Sequence, residues 1–310
     1  MGTKVIFIGN YKGGVGKTTS TLNFAEYFST ALHPKRKKAN RVLVLDIDPQ
    51  SSLSEILVKK HCKTDLSDLE PYETLNYVFD LSIAKIQRYS TLDLNLSKTA
   101  GVNLIKDGGN FDFIPSSLFY CRDAEGQNVL GLDTLALMME DDLQYLTILR
   151  NFLEPLKTGY DYILIDCPPS NNLITRSAFL MSDFYLVPTV LDGLSTNGVV
   201  HYIETVENTY SHYCQDSEDA FLAKHFFGAR PQLLGLFFNL IRGRVNYEDA
   251  LDEFERIFRS KLQMNIDDFL LDSRINNYID IARSTQAGTT SISKDDFRYL
   301  AQEILDRLER

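Results

Sequence analysis

Lys12-Gly13-Gly14-Val15-Gly16-Lys17-Thr18-Thr19 stands between a short apolar run, Val5-Ile6-Phe7-Ile8, and a stretch whose Leu22, Ala25, Phe28 and Leu32 share one helical face. Strand, glycine loop and helix in that order form a cradle for phosphate. Glycines let the backbone turn so that successive N–H groups point inward at an anion, and the helix N-terminus adds its positive end. Gly13, Gly14, Val15, Gly16 and Thr19 then supply backbone donors, Lys17 reaches the β- and γ-phosphates, and the Thr18 hydroxyl can ligate Mg²⁺. The pattern G-x-x-x-x-G-K-[ST] is met except at Tyr11, which stands at the first glycine position. A second lysine, Lys12, sits inside the loop.

Lys12-Gly13-Gly14-Val15-Gly16-Lys17-Thr18 resembles the deviant Walker A motif of the ParA/MinD family of ATPases. The resemblance implies that Lys17 acts in cis while Lys12 reaches across a dimer interface to the partner's nucleotide, with ATP held between two facing subunits. Two anionic nucleotides at one interface need cations from both sides, so dimerisation can depend on the γ-phosphate.

At 310 residues, with no Pro/Gly/Ser-rich linker, the chain reads as one large α/β domain. Hydrophobic content of 44% and charged content of 24% suit a globular protein. No apolar run is long enough for a signal peptide or a membrane span, so the expected place is the cytoplasm, with no membrane partner. The 4 cysteines are far apart and the 5 histidines scattered, which argues against disulfides, a metal cluster or a catalytic histidine. A net charge of −10 excludes a uniformly basic nucleic-acid binder, so any DNA contact must use a local patch. The basic stretch Lys35-Arg36-Lys37-Lys38 reads first as a solvated connection.

Arg41-Val42-Leu43-Val44-Leu45 reads as a buried parallel strand ending in Asp46-Ile47-Asp48-Pro49-Gln50. Acidic residues at the carboxyl end of such a strand lie where open α/β sheets bind ligands. The segment resembles the family's switch I, which implies that Asp48 orients the attacking water and Asp46 supports Mg²⁺ through water. An Asx turn, with Pro49 opening the next helix, is compatible with the same residues. Tyr162-Ile163-Leu164-Ile165-Asp166 is a Walker B arrangement, a buried strand delivering Asp166 to the Mg²⁺ shell. Cys167-Pro168-Pro169-Ser170 resembles switch II.

Helices are expected at Leu53–Val58, Tyr72–Phe79 and, as one long element, Leu132–Leu156; Ser195 is a candidate N-cap. Phe111–Pro115 and Phe184–Pro188 read as strands, as does Leu233–Asn239. Asn239 matches an asparagine that reads the adenine edge in parts of the family, although an asparagine there is also an ordinary turn residue. Arg242, Arg244 and Arg259 occupy the side that binds DNA non-specifically in ParA-like proteins. Residues 241–261 nevertheless carry five acids against five bases, so a solvated mixed-charge helix is equally consistent. Near the end the family's proline-arginine pair is absent, with Asn276 and Asn277 in its place. Ser293–Asp296 reads as a capping box, and the last helix should bury Phe297, Leu300, Ile304 and Leu308 with a polar face that is not basic.

The fold expected is therefore a single P-loop NTPase domain, a mostly parallel twisted sheet with helices on both faces. The resemblance is strongest to ParA/Soj-type partition ATPases without an N-terminal DNA-binding extension. It implies slow, Mg²⁺-dependent hydrolysis of ATP, an ATP-dependent homodimer, non-specific DNA as a partner, and a ParB-like or other protein that stimulates turnover. A MinD-like membrane-cycling ATPase and an iron-protein-like carrier ATPase are the alternatives; the non-basic last helix and the lack of a cysteine pair weigh against them.

Overall fold

The computed structural model describes residues 2–88, 104–122, 128–190, 193–239, 247–276 and 295–309. Among the described residues seven strands form one sheet, in the order β3-β4-β2-β5-β1-β6-β7. They are β1 (Lys4–Ile8), β2 (Val42–Asp46), β3 (Lys106–Asp107), β4 (Asp112–Ile114), β5 (Tyr162–Asp166), β6 (Phe184–Thr189) and β7 (Gln232–Phe238). Every neighbouring pair is parallel except β3 and β4 at the edge.

Central strands are apolar at consecutive positions because both faces are covered. Alternate residues supply the two cores. Val5, Phe7, Leu43, Leu45, Ile163 and Ile165 pack on one face, under α3 (Leu75–Gln87), α6 (Ile148–Lys157), α7 (Leu173–Leu180) and α8 (Gly193–Ser211). Ile6, Ile8, Val42, Val44 and Leu164 pack on the other, under α1 (Lys17–Thr30), α2 (Ser52–Leu57) and α11 (Asp295–Glu309). The remaining α-helices among the described residues are α4 (Leu132–Leu137), α5 (Leu143–Leu146), α9 (Ala220–Phe227) and α10 (Tyr247–Leu262).

Several local expectations change. The long helix over 132–156 is three helices: Asp142 turns out of the helical path, its carboxylate accepting from the Gln144 N–H at 2.7 Å to cap α5, and Thr147 separates α5 from the next helix. Leu135, Met139, Leu146 and Leu149 are still buried. Leu32 lies beyond the end of α1 and is 64% exposed, so it does not extend the apolar face. The second expected helix starts later and runs further, over Leu75–Gln87, after a single 3₁₀ turn at Pro71–Glu73. Pro49 does not open α2; Ser51, in the left-handed region at φ 51°, is its N-cap. Ser195 lies inside the first turn of α8, which already starts at Gly193. Ser293 lies outside the described residues, and the Asp296 carboxylate accepts from both the backbone N–H and the side-chain amide of Asn276.

The last helix is docked by its polar residues as well as its apolar ones. Arg307 donates to the carbonyls of Leu234, Phe269 and Leu270, and Glu303 accepts from the N–H groups of Asp272 and Ser273. Among the described residues no helix is long and apolar enough to cross a membrane.

Candidate functional site

β1 delivers the chain to the glycine loop, and α1 leaves it at Lys17. Gly14 and Gly16 take φ of +72° and +84°, a region that L side chains rarely adopt. No side chain caps α1 and no acidic residue occupies its first turn. The first N–H groups of the helix are thus left to an anion, with the positive end of the helix dipole behind them. The loop entrance is held by Asn10, whose Oδ1 accepts from the Lys12 N–H at 2.9 Å while its Nδ2 donates to the Pro188 carbonyl at 2.9 Å. Tyr11, in place of the first glycine, packs edge-on against Tyr202 of α8 with ring centroids 4.8 Å apart.

Lys17 is buried, with Nζ donating to the Lys12 carbonyl at 3.2 Å across the loop. Lys12 itself is exposed at the mouth. Register sets the acids: Asp166 at the carboxyl end of β5 is the Cα partner of Ile8 in β1 on one side and of Asp46 in β2 on the other. Thr18 donates to Asp166 Oδ2 at 2.8 Å, and Thr21, one turn further along α1, donates to Oδ1 at 3.2 Å. Asp46 accepts from the backbone N–H and the hydroxyl of Ser54, at 2.8 and 2.7 Å, and from the Asp48 N–H at 3.0 Å. Asp48 is half-buried and forms the expected Asx turn, accepting from the Gln50 N–H at 2.9 Å. After Asp166, the Cys167 N–H donates to the Ile8 carbonyl, tying the start of the Cys-Pro-Pro turn to β1.

The electrostatics follow from burial. Asp166 is pushed well above the ordinary carboxyl range by desolvation and then by the charge of Asp46, with the Thr18 hydrogen bond and Lys17 opposing. Asp46 is pushed up to about 6, again chiefly by desolvation, against the Ser54 and Asp48 donors. Burial lowers the Lys17 pKa, and Asp166 and Asp48 counter it. Two carboxyls stripped of water side by side are accommodated best opposite a cation. Their hard oxygen donors, with the Thr18 hydroxyl, fit Mg²⁺. Among the described residues no three His, Cys, Asp or Glu side chains gather into a metal cage.

The structure therefore brings Lys12, Gly13, Gly14, Val15, Gly16, Lys17, Thr18, Thr19, Asp46, Asp48 and Asp166 to one edge of the sheet. Asn239 also arrives there, but from behind. It is 2% exposed, and its Nδ2 donates at 3.0 Å to the Val15 carbonyl instead of facing outward. Arg242 and Arg244 lie outside the described residues. Arg259 is exposed on α10, where Asp252, Glu255 and Arg256 share its groove, so this surface mixes both signs of charge.

Sequence reasoning missed Asn10, Thr21, Ser54 and Ser116. Thr21 was detectable three residues after Thr18 on the same helical face. Ser116, whose N–H donates to the Ser54 hydroxyl at 2.9 Å and whose own hydroxyl pairs with that of Ser51, follows β4 and carried no local signal.

Residues 3–218 match a family model described as an AAA domain (AAA_31). The sporulation initiation inhibitor protein Soj of Bacillus subtilis is 26% identical over 266 residues, covering 85% of this chain and 83% of Soj. The chain spans 62% of the length of the first curated relatives it matches. Among solved structures, a Borrelia burgdorferi plasmid partition protein bound to AMPPNP aligns with a TM-score of 0.62 at 18% identity, over 99% of this chain and 98% of that one. The pNOB8 ParA bound to nonspecific DNA aligns with a TM-score of 0.58 at 20% identity, over 99% of both chains. At these identities the structures speak for the fold. Taken with the loop, the paired aspartates and the matched family model, the chain belongs to the AAA-domain family (AAA_31), with a P-loop NTPase fold of the ParA/MinD kind.

Proposed function

We propose that this protein is a ParA-like switch: it binds ATP with Mg²⁺, dimerises on the bound nucleotide, and hydrolyses it slowly to ADP and phosphate while partitioning DNA or positioning cargo. The observation that carries the reading is the meeting of Lys17, Thr18, Asp46, Asp48 and Asp166 at one strand edge, with Lys12 exposed at the loop mouth. The loop and the uncapped start of α1 bind the β- and γ-phosphates, and Lys17 neutralises charge on their oxygens. Asp48 orients a water in line with the γ-phosphorus, and departure of that phosphate releases the turns after Asp46 and Asp166. Asp46 and Asp166, with Thr18, would hold Mg²⁺, which would supply charge neutralisation on the triphosphate when bound. Lys12 of each subunit contacts the partner's triphosphate.

Resemblance to Soj, to a plasmid partition protein and to a ParA on nonspecific DNA supports the partition role. DNA as the surface and a ParB-like stimulator belong to the same reading. A polar face of α11 that is engaged with the 268–273 segment favours this over membrane cycling. The test is phosphate release from ATP by purified protein with Mg²⁺, with and without DNA. Slow release that Asp48→Ala abolishes is expected, and Mg²⁺-independent or absent turnover together with absent ATP binding would refute the reading.

A further inference from the structure

Asn239 terminates β7, and its place there is set by the sheet: its N–H donates to the Thr189 carbonyl at 2.7 Å, at the end of β6. Its side chain is 2% exposed and lies against the outer side of the glycine loop. Nδ2 donates to the Val15 carbonyl at 3.0 Å and approaches the Ser20 hydroxyl at 3.4 Å. A Cβ placed on Gly16 would come within 2.2 Å of that same nitrogen. The amide and the Gly16 backbone therefore occupy adjoining space that no larger residue leaves free.

The consequence lies in the peptide plane. The Val15–Gly16 bond is trans, as every described bond is. In a trans amide the carbonyl and the following N–H point in opposite directions. Holding the Val15 oxygen on the outer side turns the Gly16 N–H to the inner, phosphate-facing side. Without that donor the Val15 carbonyl is a buried acceptor with a reason to rotate, and rotation would carry an oxygen toward the anion and a donor away from it. Asn10 holds the other end of the loop in the same manner, accepting from the Lys12 N–H while tied to the Pro188 carbonyl. Both braces thus hang from the end of β6.

We propose that Asn239 is a positioning residue for the triphosphate, acting through the Val15–Gly16 peptide rather than by reading the base. This rests on the loop being the ATP site. Asn239→Asp keeps the shape and removes the donor; Asn239→Ser is the second variant should that one fold poorly, and melting without nucleotide checks both.

The experiment measures binding of ATP, GTP and inorganic tripolyphosphate, each with Mg²⁺ and titrated to millimolar concentration, to the full chain and to both variants. The expected result is an equal loss for ATP and tripolyphosphate, roughly 10- to 100-fold, with the ATP-to-GTP ratio unchanged. Loss for ATP alone, with tripolyphosphate untouched, would overturn the proposal in favour of base reading. Undiminished binding of both would overturn it too, as would wild-type protein that binds ATP but no tripolyphosphate. Wild-type protein that binds none of the three would instead overturn the ATP reading, and this inference with it.

Discussion

Asp46 and Asp166 stand opposite one another in register on adjacent parallel strands, both buried and each satisfied by hydroxyl donors from a different helix. Thr18 and Thr21 of α1 serve Asp166, while Ser54 of α2 serves Asp46. The helix that carries the phosphate loop and the segment that carries Asp48 therefore meet at one pair of carboxyls. A change in charge at that pair is felt by both.

The pair makes stability depend on pH in a definite direction. Both folded pKa values are raised, Asp46 from 3.8 to about 6 and Asp166 further in the same direction, so the folded state holds protons that the unfolded chain releases. Stability is thus fully present below the unfolded value and is lost as pH rises through the folded one. In EDTA and without nucleotide, Asp166→Asn should melt near wild type at pH 4 and increasingly above it as pH rises past 6. Parallel melting curves across that window would contradict the pairing.

Asp48 is half-buried and held by its Asx turn beside Asp46, which fixes the carboxylate without consuming it as a structural ion pair. Asp48→Ala should lower kcat by about 100-fold or more and leave ATP affinity within a few-fold. Phosphate release and equilibrium binding measured on the same preparation check it, and near-normal turnover would remove Asp48 from its role.

Gly16 sits at φ +84° with Asn239 Nδ2 2.2 Å from where a Cβ would be. Gly16→Ala should cost about 1–2 kcal/mol for the left-handed backbone alone, and more for the displaced amide. Thermal melting should show the loss, and the stabilisation that ATP gives the wild type should shrink with it.

Arg259 is exposed beside Asp252 and Glu255, so its pull on a polyanion is partly cancelled locally. DNA binding should require ATP and fall steeply with salt. Arg259→Ala should reduce the salt slope by about 1. Mobility shifts at two ionic strengths read both, and equal binding with and without nucleotide would contradict the switch.

The sheet and the phosphate loop were legible because their causes are local. Unbroken apolar runs such as Val42–Leu45 signal strands covered on both sides, and Gly14 and Gly16 signal a backbone at positive φ. Asp46 and Asp166 were legible because strand ends are where such sheets place ligands. Helical spacing over 132–156 misled, since the leucines stay on one side even where Asp142 breaks the backbone. Ser116 and the loop contact of Asn239 escaped for another reason: the partners are 62 and 224 residues away, and no periodicity reports a contact made by the sheet.

Lys12 lies exposed at the loop mouth while Lys17 is buried beneath it, a division that suits one lysine for its own subunit and one for a neighbour. Sedimentation velocity of Asp48→Ala and of Lys12→Ala/Asp48→Ala, each with Mg²⁺ and saturating ATP, tests the trans role most directly. The single variant should sediment as a dimer, and the double variant as a monomer that still binds ATP. A double variant that dimerises as fully as the single one would contradict the claim.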